Sequence, residues 1–153
     1  FATAERVVAE GGRAALVDLD LGRAEEAASR LPGCIGLSAN VADETAVASA
    51  VAATVERLGG IDLVLAADVL VYFGDLAPLF AQIARVLDAG GLYAFSIELS
   101  TTHDFVLQPS GRYAHSEDYV RRVCNQLGFA EIEAFAHHIR GDVNGFVFIV
   151  RKS

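Results

Sequence analysis

Methionine is absent from all 153 residues, position 1 included, so the sequence is expected to be a processed, trimmed or cut piece rather than a chain with its initiator in place. Cysteine is nearly as scarce. Cys34 and Cys124 stand alone, with no C-x-x-C spacing and no secretory apolar region. A reduced, cytoplasmic protein with two packed thiols is therefore expected. Basic residues are few: 12 Lys and Arg face 20 Asp and Glu, for a formal charge of −8 and a pI near 4.8. Such a balance gives no electrostatic hold on phosphate backbones and excludes general nucleic-acid binding as a function. Long apolar runs are missing too. Although 53% of the residues are hydrophobic, no run reaches the roughly 18 residues of a membrane helix, so no membrane partner is expected. The sequence also holds no internal repeat and no low-complexity tract.

What is present is an alternation of apolar runs and helical periods. The spacing predicts helices over 2–10, 22–31, 43–58, 76–88 and 116–127. It predicts strands over 13–18, 34–39, 61–67, 91–98, 129–138 and 145–151, with a loop between the strand ending at 98 and the helix at 116. Val47, Val51, Val55 and Leu58 share one helical face, and Leu76, Leu79, Phe80, Ile83 and Leu87 share another; both are expected to be core. Asp43 and Ser116 stand where N-caps belong, Glu117 and Asp118 suit a first turn, and Gly128 suits a helix end. At this length one domain, residues 1–153, is expected. Strands alternating with helices imply a parallel sheet with right-handed crossovers, covered on both faces. Apolarity along whole strands fits that burial. The last two strands break the pattern. "HHIRGDVNGFVFIV" joins them without a helix and Asn144-Gly145 reads as a turn, so the final strand should run antiparallel. The Arg140-Gly141-Asp142 tripeptide inside this joint has the form of an adhesion motif and is read as loop composition.

From Phe1 to about Asp62 the chain resembles a short-chain dehydrogenase/reductase. "ATAERVVAEGGRAALVDLDLGRAEEAASRL" is similar to that family's first helix, second strand and next helix, and "GLSANVADETAVASAVAATVERLGGIDLVL" to its third strand through the start of its fourth. An acid at the carboxyl end of the second strand can accept hydrogen bonds from both ribose hydroxyls of an adenosine, which makes Asp18 the first candidate and Asp20 the reserve. The plainer alternative is that Asp20 caps the next helix and Asp18 is a solvated strand end. Asn40 and Val41 would lie along the adenine, or else Asn40 simply starts a turn before Asp43. The family's glycine loop would come immediately before Phe1, "LAAD" replaces its Asn-Asn-Ala-Gly-like turn, and its catalytic Tyr-x-x-x-Lys is absent. Without that lysine, hydride transfer through the family's mechanism has no acid, so NAD is the lesser cofactor expectation.

From Ile61 to Ser153 the resemblance changes. "IDLVLAADVLVYFGDLAPLFAQIARVLDAGGLYAFSIE" resembles the fourth to fifth strands of a class I S-adenosylmethionine-dependent methyltransferase, and "QPSGRYAHSEDYVRRVCNQLGFAEIE" its later substrate loop and helix. The kind found beside tetratricopeptide repeats is the nearest in pattern. This resemblance implies a Rossmann-like three-layer α/β sandwich with an antiparallel last strand and S-adenosylmethionine as cofactor. It also implies that Ala67, Asp68 and Tyr72 line the cofactor's reactive end. Glu98 and the "GRYAHS" segment, with Arg112, Tyr113 and His115, are where a methyl acceptor would be oriented or deprotonated. His115 has the ordinary pKa of a general base near neutrality, or is a solvated loop residue ahead of a helix cap. His137 and His138 alternate along a strand, so no metal site is expected.

The two resemblances meet near residue 61, which suggests an engineered or recombined chimera with weak or no turnover. A divergent natural protein is the competing account. The mostly parallel sheet would lack its usual first strand, and interior edges left unpaired cost on the order of 1 to 3 kcal/mol per buried group. Either the second strand closes on the fourth, between Val17 and Val64, or another copy fills the gap by strand exchange as a homodimer. The remaining functional alternatives are a non-catalytic folded chimera and a residual NAD(H) binder.

Overall fold

A computed structural model describes residues 1–153 except Asp142, and it leaves the side chains of Glu131, Ile132 and Arg140 undescribed. The Arg140-Gly141-Asp142 tripeptide thus lies largely outside the described residues. The chain forms two compact units, Phe1–Gly60 and Ile61–Ser153.

In the first unit, helix α1 (Ala2–Ala9) precedes strand β1 (Ala15–Asp18). Helix α2 (Leu21–Ser29), strand β2 (Ile35–Ser38) and helix α3 (Glu44–Leu58) follow. β1 and β2 pair in parallel, Ala15 against Ile35 through Asp18 against Ser38. Asp43 caps α3 as expected, accepting the N–H groups of Thr45 and Ala46 at 2.9 and 3.2 Å. Helix α2 lies so close to β2 that a Cβ on Gly36 would come within 2.6 Å of the Ala24 carbonyl carbon. The fully buried hydrophobic residues of this unit are all alanines, Ala24, Ala28, Ala39 and Ala50. The valine face of α3 is not core as expected: Val47 and Val55 stay more than a third exposed. A two-stranded sheet with four residues a strand offers too little surface to cover it.

The second unit carries the larger core. Strand β3 (Leu63–Ala66) leads through a short 3-10 turn (Leu70–Tyr72) to helix α4 (Ala77–Val86) and strand β4 (Leu92–Leu99). The expected loop then holds two short strands, β5 (Phe105–Leu107) and β6 (Tyr113–His115). Helix α5 (Glu117–Gln126) and the strands β7 (Phe129–Arg140) and β8 (Val143–Lys152) complete it. β4 is the hub. It pairs in parallel with β3 along its first half and with β6 at Glu98 and Leu99, and antiparallel with β8 on its other edge. β8 is antiparallel, as expected, but the reversal falls between Arg140 and Val143. Asn144 and Gly145 are inside β8, opposite His138 and His137. Tyr93, Phe95 and Ile97 of β4 alternate onto the core face with Phe80, Phe148 and Val120. Phe80 meets Tyr93 edge-on at 5.1 Å, and Phe95 stacks on Phe148 at 5.3 Å. Cys124 is buried here and its thiol pKa is pushed up to about 12 by that burial, whereas Cys34 is half-buried.

β1 pairs with β2 and β3 with β4, in separate sheets, and Val17, Leu63 and Leu65 are exposed. Among the described residues no helix is long and apolar enough to cross a membrane.

Candidate functional site

Parallel pairing of β3 with β4 sends both chains out at their carboxyl ends on the same side of the second unit's sheet. Ala67 and Asp68 leave β3 there, and Glu98 is near the end of β4. On β4 the polar Ser96 and Glu98 alternate with the core residues Phe95 and Ile97, so both face away from the core cluster. Ser96 Oγ accepts the Asp68 N–H at 2.9 Å. That bond fixes Asp68 in a left-handed conformation, φ 57°, which a short polar side chain tolerates better than others.

β6 brings the third component. Its register, Ala114 against Glu98, sets the preceding residue pair Arg112-Tyr113 beside the carboxyl end of β4. Arg112 Nε donates to Glu98 Oε1 at 2.6 Å and its Nη2 donates to Asp68 Oδ1. The guanidinium also lies 5.4 Å from the centre of the exposed Tyr72 ring, a cation–π contact. Glu98 is 3% exposed and Arg112 13% exposed. A carboxylate buried that deeply needs its counter-ion, and Arg112 supplies it.

The other expected residues are placed as follows. His115 is fully buried, not a solvated loop residue, and its Nε2 lies 2.9 Å from both Phe73 O and Gly74 O. Carbonyls only accept, so Nε2 carries the proton, and the buried Nδ1 has no partner among the described residues. Burial pushes the His115 pKa below its ordinary 6.5 against the opposing pull of the two carbonyls. Tyr113 is half-buried beside Phe105, and both rings press on Gly74, where a Cβ would meet them at 3.1 and 3.2 Å. Ala67 is exposed. In the first unit, Asp18 Oδ1 accepts the Asp20 N–H at 3.0 Å and Asp20 Oδ1 accepts the Arg23 N–H at 3.1 Å as the cap of α2. Asn40 Oδ1 accepts the Ala42 N–H at 3.0 Å in a turn, and Val41 is exposed.

Sequence reasoning missed Ser96, although a polar pair at i, i+2 in an apolar strand was a visible signal. It also missed Tyr119. The Tyr119 hydroxyl accepts the Leu76 N–H and donates to Asp75 Oδ1, both at 2.7 Å, and burial with the Asp75 contact raises its pKa to about 12. Beyond the end of β4, a polar hollow of about 520 Å³ is lined by Ser100, Thr102, His103, Asp104, Asp118 and Arg122. Arg122 and Asp104 pair across it at 2.6 Å.

No protein-family model and no curated protein sequence matches the chain. Solved structures do. An S-adenosylmethionine-dependent methyltransferase of Methanosarcina mazei shares 16% identity over 97% of this chain and 85% of its own, with a TM-score of 0.57. The magnesium protoporphyrin IX methyltransferase of Synechocystis with bound S-adenosylhomocysteine shares 17% identity over 99% of this chain and 80% of its own, with a TM-score of 0.53. The 1,6-didemethyltoxoflavin-N1-methyltransferase of Burkholderia thailandensis, with bound S-adenosylhomocysteine, gives 16% identity, 99% and 77% coverage and a TM-score of 0.55. At these identities the likeness establishes the fold: the chain has the Rossmann-like α/β architecture of class I methyltransferases.

Proposed function

We propose that the protein is an S-adenosylmethionine-binding domain of the methyltransferase type, with its cofactor's cationic end held in the second unit by Ala67, Asp68 and Tyr72. The observation that carries this reading is the Arg112 cluster. Asp68 and Glu98 bring two negative charges against the single positive charge of Arg112, so the cluster beside the Tyr72 ring has a net negative charge that suits a sulfonium. S-adenosylmethionine supplies, when bound, a methyl group activated by its positive sulfur. The remaining task for the chain is alignment and exclusion of water, with no enzyme nucleophile needed. Ser96 holds the backbone of Asp68 still, the Tyr72 ring offers an apolar wall, and Glu98 with Arg112 presents a fixed dipole to a polar acceptor. The hollow at Ser100–Asp104 is the proposed acceptor entry.

Of the residues expected to act on the acceptor, Glu98 keeps that role in this proposal. Tyr113 and His115 do not, since the first packs on Gly74 and the second commits its proton to Phe73 and Gly74. Within the first unit taken by itself, Asp18 and, in reserve, Asp20, with Asn40 and Val41, are proposed as an adenosine-binding set, the acids for ribose hydroxyls and the pair for the base.

The test is calorimetry with S-adenosylhomocysteine. Saturable heat in the micromolar to millimolar range is the expected result, and silence at millimolar ligand sinks the reading. The dehydrogenase-like pattern of residues 1–62 motivates a second reading, a residual NAD(H)-binding dehydrogenase-like domain. Enhanced NADH fluorescence on mixing would favour it. Strand exchange between two copies remains part of the proposal, read by concentration-dependent mass in solution.

A further inference from the structure

Residues 73–76 follow the 3-10 turn at Leu70–Tyr72 and have no regular structure of their own before α4 begins at Ala77. Each nevertheless has a partner, and the partners come from one place. His115 Nε2 donates to Phe73 O and Gly74 O; the Tyr119 hydroxyl donates to the Asp75 carboxylate and accepts the Leu76 N–H. His115 ends β6 and Tyr119 lies in the first turns of α5, and their rings stack at 6.1 Å and 17°. Ser116 caps α5 by accepting the Tyr119 N–H at 3.2 Å, which fixes the spacing between the two rings. Gly74 lacks the side chain that would otherwise hold Tyr113 and Phe105 off the segment.

We propose that His115 and Tyr119 form a two-point clamp whose function is to position the segment after β3, and with it Asp68 and Tyr72, for ligand binding. Both are positioning residues. His115 is suited to the task because its neutral ring donates one proton between two carbonyls while burying no charge. Arg112, three residues before His115, grips Asp68 at the other end of the same segment. The stretch Arg112–Tyr119 therefore holds the whole loop 68–76 from one side. The functional consequence rests on the cofactor-site reading above; the clamp itself does not.

The test uses the full chain and compares His115→Gln, which keeps a donor near Nε2, His115→Phe, which fills the volume without one, and Tyr119→Phe. Two quantities are read: amide hydrogen exchange, and the dissociation constant for S-adenosylhomocysteine. Since a single hydrogen bond is worth up to about tenfold in an equilibrium, His115→Phe is expected to speed exchange at Tyr72 and Phe73 by about tenfold. It should leave the β7–β8 hairpin unchanged and weaken ligand binding by a similar factor. His115→Gln should stay within about threefold of the parent on both counts. Tyr119→Phe should release the Leu76 amide specifically, and it keeps the test alive if His115→Phe does not fold. Unchanged exchange at 72–76 in both phenylalanine variants overturns the clamp. So does loss of protection spread evenly over the second unit, with His115→Gln as damaging as His115→Phe. If the parent chain binds no S-adenosylhomocysteine, the cofactor reading fails while the exchange data still decide the clamp.

Discussion

Glu98 and Arg112 form an ion pair at 2.6 Å, fourteen residues apart in sequence, with side chains 3% and 13% exposed. The two halves of this pair are not equivalent. Arg112 has a second carboxylate at Asp68 and the Tyr72 face, whereas Arg112 is the partner the structure gives Glu98.

Removing Arg112 therefore strands a buried carboxylate. Arg112→Ala is expected to lower unfolding stability by on the order of 3 kcal/mol, and adding Glu98→Gln to it should restore much of the loss. Urea denaturation of the parent, both single variants and the double variant measures the coupling. Equal and additive losses would contradict the pairing.

Asp68 separates charge from conformation. Asp68→Asn keeps a residue that accepts φ 57° and removes the charge of a partly exposed pair, so stability should fall by less than about 1 kcal/mol. Asp68→Ala adds the left-handed penalty, about 1 kcal/mol more. On the proposed reading, the asparagine variant should weaken S-adenosylmethionine more than the uncharged-sulfur product S-adenosylhomocysteine. A ratio of the two affinities equal to the parent's would count against Asp68 facing the sulfonium.

His115 makes stability depend on pH. Its pKa is lowered, mainly by burial, so the unfolded chain takes up a proton that the folded chain refuses. The contribution is complete above the ordinary value of about 6.5 and is lost progressively as pH falls below it. Tyr119 beside the ring, its pKa raised to about 12, stays neutral in this range, and Asp75, reached through the Tyr119 hydroxyl, titrates lower. The Asp75 pKa is lowered by the Ala77 N–H and the Tyr119 hydroxyl, so its own loss begins only below its ordinary 3.8. Unfolding followed from pH 8 to 5 should show a decline that His115→Gln flattens.

Gly36 tests the first unit independently. With the Ala24 carbonyl carbon 2.6 Å from the place of a Cβ, Gly36→Ala must push α2 off β2 and is expected to cost about 1–3 kcal/mol. Thermal melts by circular dichroism report it, and an unchanged midpoint would show that α2 does not pack as described.

Much of the scaffold was readable because its signals are local. Every helix and strand expected from periodicity is present, Asp43 and Ser116 cap α3 and α5, and the last strand is antiparallel. The turn signal at Asn144-Gly145 misled by a few residues because β7 and β8 extend past it through irregular pairing near His138. β5 and β6 escaped notice because three-residue strands carry no measurable period, yet β6 is the strand that builds the site.

The sequence by itself determined which segments coil, which extend and where several of them stop, since 3.6-residue and two-residue periods and capping side chains act within a few positions. Tertiary structure alone decided that Asp68 faces Arg112 and that Tyr119 holds Asp75 and Leu76, contacts spanning 43 and 44 residues. Those meetings depend on the register of β3 and β6 on β4. A shift of β6 by one residue would turn its side chains to the opposite face of the sheet from Glu98's present partners, and no short stretch of sequence encodes that register.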